Sequence, residues 1–405
     1  MFLKPSVASS HQPLLWEDPI FSYPQAALDL PILLFGCSLF IFIAGFFFFP
    51  SAKSLNDWFY FIVTPLTLLN AKKINWHVFQ KDALVLLFLA YLTYCSFTDF
   101  WSSSLSMGKL FKPFVQSLVL VVFFLSIQLT RHLPKSLLKS FVEWFFWISA
   151  LSATISIYMW YAHNPWGSRL FGFFRATHPI LSDWVYGIPI LIAMHGLMTH
   201  SFSKKTLLRS MLAIPSLMYI LLTQSRGPVV ALVAAIFLLL LYYRNLRALG
   251  ILLLLLAVIG FDHTLVTRSF DTVFFRQAIW KTVFSTSLEH PLLGHGYMAK
   301  LRVETINQVF SHAHNVYLEI FYLGGVVGFL LQSLLIIFAL VRAWQHRESR
   351  IMNIITAIFI FGLLCLTTDG DRLVENPREL WINFWLPLFA IMAYTSSKPD
   401  PYRLK

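Results

Sequence analysis

HAHNVYLEIFYLGGVVG, running from His312 to Gly328, is where this chain changes character. Ahead of it lies a polar stretch bearing His and Arg that opens near His263. Behind it the sequence stays apolar as far as Val341. An apolar run of that length, at roughly 20 residues per crossing, reads as a membrane helix. The boundary therefore holds His314, Asn315 and Glu319 at the mouth of a span, beside a loop containing Arg276. Ionisable groups are costly in such places unless they are paired or handle something charged.

Similar apolar runs recur on both sides: Leu30–Phe49, Trp58–Asn70, Asp82–Thr98, Val115–Thr130, Leu137–Tyr161, Leu207–Thr223, Gly227–Tyr243 and Trp381–Tyr394. Of the 405 residues 57% are hydrophobic and 12% charged, where a soluble domain carries about twice that charged share. Forty Phe and thirteen Trp suit surfaces that face lipid and its interfaces. The fold class expected is an all-α, polytopic integral membrane protein, with about 12 transmembrane helices and one long loop carrying short helices. The organisation follows: residues 1–262 form a transmembrane bundle of nine spans, 263–313 a loop with active-site residues, and 314–405 the last three spans.

The formal charge of +12 raises the possibility of a polyanion partner, but its distribution explains it otherwise. Basic residues gather in alternate short loops, at Lys72, Lys73 and Lys81, at Arg131 and Lys135, at Lys204 and Lys205, at Arg244 and Arg247, and at Arg342, Arg347 and Arg350. By the positive-inside rule these loops and both termini are cytoplasmic. The first span, with no signal-peptide pattern before Leu30, is expected to stay as an anchor. Cys37, Cys95 and Cys365 sit singly inside apolar segments, in no disulfide or metal spacing, and read as small packing residues.

The remaining loops then share the opposite face: Pro50–Asp57, Asp99–Gly108, His163–Pro179, Gln224–Gly227, His263–Ala313 and Thr368–Glu379. That face holds Arg169, Arg175, Arg226, Arg268, Arg276 and Arg302, which the topology rule does not explain. Arg226, in TQSRG, either snorkels to headgroups or turns its guanidinium inward to an anion, whose phosphate oxygens fit its fork of donors. Arg276 opens RQAIWKTVF, an amphipathic helix pattern that puts Trp280 on the same face. The helix is either an interfacial anchor or part of a site, and loops as long as His263–Ala313 are usually functional or disordered.

Asn315 is placed to cap the helix that follows, with Glu319 one turn on and suited to fix the side chain of Asn315 or His314. An imidazole titrates near neutrality and suits proton removal from a sugar hydroxyl, help that contributes about 10²–10⁴-fold in rate. Zinc is not expected. His312 and His314 would point to opposite sides of a helix, and no HExxH or Cys partner accompanies them or His290 and His295. Asp369-Gly370-Asp371 reads as a turn, since nucleotide sugars are not available on that face. Gly294-His295-Gly296 is too short for a phosphate loop.

In their order, RLFGFFRATHP (Arg169–Pro179), TQSRGPVVAL (Thr223–Leu232), the run from Arg276 through Gly294-His295-Gly296, and HNVYLEIFYLGGVVG (His314–Gly328) resemble the O-antigen ligase and polymerase superfamily of Gram-negative inner membranes, and within it the ligases. The likeness covers the C-terminal two-thirds; the first 160 residues add only hydropathy. It implies a glycosyltransferase with no cofactor and no metal, inverting, with its site on the periplasmic face. The donor would be O-antigen on undecaprenyl pyrophosphate, and the acceptor a sugar hydroxyl of lipid A–core. Pyrophosphate is already a good leaving group, so one base suffices where glycosidases need two carboxylates.

Carried over at the matching motifs, His314 is the base, while Arg226 and Arg276 bind the pyrophosphate and stabilise charge developing on it. Arg169, Arg175, Asn315, Glu319, His312 and Trp280 are the expected substrate-binding residues. Two other readings stay open. An O-antigen polymerase would take a lipid-linked glycan as acceptor, although the single long loop leans towards a ligase. A transporter or flippase for a lipid-linked anion would call for ionisable groups near the midplane and symmetric halves, whereas here they cluster at one face.

Overall fold

The computed structural model describes residues 29–102, 111–199, 203–243, 250, 269–304 and 309–396. They form a helical bundle. The helices are α1 (Leu30–Ala44), α2 (Ala52–Trp58, prolonged by a π turn at Phe59–Val63 into Thr64–Leu69), α3 (Ala83–Phe97) and α4 (Lys112–Leu129). They continue with α5 (Lys135–Tyr161), α6 (Pro179–Thr199), α7 (Lys204–Leu222), α8 (Arg226–Tyr243), α9 (Ser269–Ser287), α10 (Val316–Gln345), α11 (Arg350–Cys365) and α12 (Leu386–Thr395).

Among the described residues, eight helices are long and apolar enough to cross a membrane, namely α1, α3 to α8 and α10. The apolar α11 and the segment Trp381–Thr395 are shorter. The stretch just before His263, counted with the first nine expected spans, lies outside the described residues. Where short helices were expected in the long loop, the described part instead holds the 19-residue α9. It also holds a two-stranded antiparallel ribbon, β1 (Val303–Glu304) with β2 (Val309–Phe310).

Local sequence explains where the helices begin. Asp82 caps α3 by accepting from the Leu84 and Val85 amides at 2.9 and 3.3 Å, and Ser203 and Ser349 cap α7 and α11 in the same way. Pro occupies the first turn of α1, α4 and α12, where its missing N–H costs nothing. Packing within the bundle relies on close van der Waals fit, since lipid is as apolar as a side chain. Within it, Phe42, Phe59, Phe123 and Trp381 form an aromatic cluster that runs into Phe88, Trp385 and Phe389.

α3 and α10 pack against each other in opposite directions. Asp82, at the start of α3, accordingly meets Arg342, near the end of α10, at 2.7 Å. Asp29–Lys73, and Glu143–Arg209 between α5 and α7, add further ion pairs. The start of α10 lies at the other end of the bundle, together with the end of α3.

α10 is broken within LGGVVG. Gly325 takes φ 59° and ψ −162°, a conformation open in practice to glycine alone. The backbone groups released there are taken by the segment 291–296 and by α3. The amides of His295 and Gly296 donate to Tyr322 and Leu323 O (3.0 and 2.9 Å), and Tyr94 OH donates to Gly324 O (2.7 Å). The Val326 and Val327 amides donate to Pro291 and Leu292 O (2.8 and 3.2 Å). Irregular backbone at membrane depth is tolerated only when buried and satisfied in this way. The GHG turn, too short for a phosphate loop, is what splices the long loop into the broken helix.

Candidate active site

Asn315 starts α10. Its side-chain oxygen accepts from the Tyr317 and Leu318 amides at 3.0 and 3.2 Å, as its position ahead of the apolar run implied. The Val316 amide, which has no partner within the helix, donates to Leu366 O at 2.9 Å. That bond ties the mouth of α10 to the end of α11, so the turn that follows α11 faces His314.

In that turn Asp369 lies with its side chain 4% exposed, and its Oδ1 is 2.9 Å from His314 Nδ1. Gly370, at φ 97°, closes the turn and donates its amide to the same oxygen at 2.8 Å. His312 Nε2 lies 3.6 Å from Oδ1, and His178 Nε2 3.8 Å from Oδ2. Nδ1 of His178 accepts from the Leu181 amide, which leaves its proton on the nitrogen facing Asp369. Three imidazoles therefore surround one buried carboxylate.

The electrostatics follow from this geometry. Burial alone would push the Asp369 carboxyl up, but the facing rings of His312 and His314 outweigh it and hold the group well below the usual carboxylate range. Asp369 in turn raises His312, against the opposing effect of burial. Burial lowers His178 more than Asp369 and Glu379 raise it. With Asp369 ionised, His314 donates from Nδ1 and leaves Nε2 as an acceptor with no hydrogen-bond partner among the described residues, the tautomer a general base needs.

The HAH segment is not helical, and this corrects the expectation that its two rings point apart. His314 sits in the left-handed region at φ 50°, and the rings of His312 and His314 lie with centroids 4.0 Å apart. Between them the peptide of Ala313 is held from both sides. Its amide donates to Glu319 Oε2 at 2.8 Å, and its carbonyl accepts from Trp280 Nε1 at 3.1 Å. Glu319 therefore fixes the backbone between the histidines rather than the side chain of Asn315 or His314. Trp280 brings α9 to the same place, with the half-buried Arg276 one turn earlier on that face. Arg276 makes no hydrogen bond or ion pair among the described residues.

The other arginines divide. Arg226 opens α8, and a Cβ added at the adjacent Gly227 would come within 2.5 Å of Thr368. Only glycine lets the SRG turn close against the Asp369 turn. Arg169 Nε donates to Thr223 O at 2.9 Å and its Nη2 to Ser225 Oγ at 3.2 Å, lacing its loop to that turn. Buried Asp183 accepts from Thr223 Oγ1 at 2.7 Å beneath them. Arg175 is buried in an ion pair with Glu379, over the ring of Phe46, and so is committed to the scaffold rather than open to a phosphate.

Sequence reading missed Asp369, His178 and the charged loop around them. In that loop Arg378 bonds Asp371 and Glu375, each at 3.0 Å, and Arg372 donates to Ala299 O at 2.9 Å. Burial pushes the Glu375 carboxyl up to about 8 despite Arg378. Asp369 and His178 both lie in stretches the sequence marks: Asp369-Gly370-Asp371 reads as a plain turn, and His178 lies within RLFGFFRATHP.

The chain also has recognisable similarity to known proteins. Residues 211–333 match the family described as O-antigen ligase, a segment that includes Arg226, Arg276, Trp280, His312, His314, Asn315 and Glu319. The chain is also 29% identical over 324 residues to the O-antigen ligase of Pseudomonas aeruginosa, covering 76% of this chain and 77% of that one. The resemblance to O-antigen ligases is thus borne out over about three-quarters of the chain.

Proposed function

We propose that this protein is an O-antigen ligase, transferring a glycan from undecaprenyl pyrophosphate to a sugar hydroxyl of lipid A–core at the periplasmic face of an inner membrane. The observation that carries the reading is the contact between His314 Nδ1 and Asp369, which leaves Nε2 as the acceptor. His314 takes the acceptor hydroxyl proton, and the oxygen attacks C1 of the donor sugar from the face opposite the pyrophosphate. The bond from C1 to the phosphate oxygen breaks, its electron pair leaves with undecaprenyl pyrophosphate, and the configuration inverts.

Asp369 holds the ring in its base tautomer and stabilises the imidazolium that forms. Arg226 and Arg276 meet the charge growing on the leaving group, an interaction worth most in a water-poor site. No metal is needed in this scheme because fixed guanidinium groups supply the positive charge. Arg169 supports the turn that presents Arg226, and Asn315, Glu319 and Trp280 hold His312 and His314 in position.

The test is reconstituted transfer with purified protein, lipid-linked glycan and EDTA, with lipid A–core present or omitted. Glycan on lipid A–core under EDTA supports the proposal. Lengthened lipid-linked glycan without core would make the protein a polymerase. Substrate binding without any transfer would favour a transporter.

A further inference from the structure

The donors around Asp369 suit a second chemistry besides proton transfer. One donor atom each from His312, His314 and Asp369 falls within 4.8 Å of the others, and His178 Nε2 stands 3.8 Å from the second carboxylate oxygen. In a tetrahedral zinc site, with ligands at roughly 2.0–2.2 Å from the ion, donor atoms stand about 3.3–3.6 Å apart. The observed separations of 2.9 and 3.6 Å from Asp369 Oδ1 bracket that spacing. Asp369 Oδ2 is buried, accepts no hydrogen bond among the described residues, and lies 3.8 Å from His178 Nε2. The backbone behind the rings is fixed at Ala313 and Val316, so small ring rotations suffice to gather the set.

We propose that His312, His314 and Asp369, with water completing the coordination shell, bind a zinc-class transition-metal dication, and that the bound ion switches off the base. This rests on the assignment of His314 as that base. A neutral imidazole carries one proton. When the metal bonds to Nδ1 of His314, that proton must move to Nε2, the atom that has to accept the proton of the substrate hydroxyl. The ion therefore holds the ring in its idle tautomer while also taking Asp369 away from it. Imidazole and carboxylate donors favour zinc, cobalt or nickel over magnesium, which prefers oxygen ligands and keeps its waters.

The test uses untagged full-length protein in detergent, purified with EDTA and then freed of it. Co²⁺ is titrated in and read by visible absorption, followed by displacement with Zn²⁺. Expected are one ion per chain, a four-coordinate spectrum without thiolate bands, displacement by Zn²⁺ and none by Mg²⁺. Binding should weaken by at least about 10–100-fold in both His312→Asn and Asp369→Asn, each checked for wild-type elution. Saturating Zn²⁺ should stop glycan transfer and EDTA should restore it.

Absence of stoichiometric binding, or binding indifferent to both substitutions, overturns the site. Zn²⁺ bound at these residues with transfer unchanged overturns the switch. A preparation that transfers no glycan under any condition would fail the functional reading, while the Co²⁺ titration still decides the metal site.

Discussion

Asp369 and Glu375 are two carboxylates of one loop with opposite electrostatic fates. Asp369 faces imidazoles and stays ionised, whereas Glu375 is pushed up to about 8 chiefly by burial, with Arg378 opposing. The sign for Glu375 follows from linkage. Its folded pKa lies above the ordinary value near 4.3, so between the two the folded state holds a proton that the unfolded state has released. That contribution is full at low pH and declines as pH rises towards 8, by at most about 1.4 kcal/mol per unit. Glu375→Gln should therefore flatten the fall in thermal midpoint between pH 5.5 and 8.5. A slope as steep as wild type would show that the carboxylate is ionised throughout. For the arginines, Lys at 226 or 276 should not restore full transfer to an Ala variant, because an ammonium lacks the bidentate fork. Full rescue at both positions, measured as kcat, would remove the pyrophosphate contact from the account.

Among the elements, α10 concentrates the design: a capped mouth that aims His314, and a glycine break that receives the long loop. A Cβ at Gly325 would lie 2.4 Å from Leu292 O, in a backbone region closed to side chains, whereas one at Gly324 would meet only Tyr94 Cε1 at 3.4 Å. Gly325→Ala should therefore sharply reduce the yield of monodisperse protein, and Gly324→Ala should leave yield near wild type. Equal yields from gel filtration of the two would contradict the splice. The start of this helix was legible because cap and apolar run are adjacent in sequence. Its break was not, because LGGVVG is apolar throughout, and the partners that satisfy it, Tyr94 and 291–296, are remote.

Across the whole molecule, the class of fold was legible because lipid imposes it on composition, and the gathering of basic residues is what predicts the sorting of loops to two faces. The polar face that these loops build was legible only in part. His314 and Asp369 are 55 residues apart, and Arg175 and Glu379 are 204 apart, so no local pattern announces either pair. Orientation is testable directly. A cysteine at the exposed Trp166, in a variant lacking Cys37, should react with an impermeant maleimide added to spheroplasts. One at Lys205 should react only after lysis, and the reverse pattern would invert the topology.

The central claim is that His314 and Asp369 act as one base, and a double-mutant cycle on transfer rate tests it most directly. His314→Ala, Asp369→Asn and the double variant would be compared in the same EDTA-containing assay, at matched levels of correctly inserted protein. Each single change should cost about 10²–10⁴-fold, with the double no slower than His314→Ala alone. Losses that multiply in the double variant, or an Asp369→Asn protein as fast as wild type, would contradict the account.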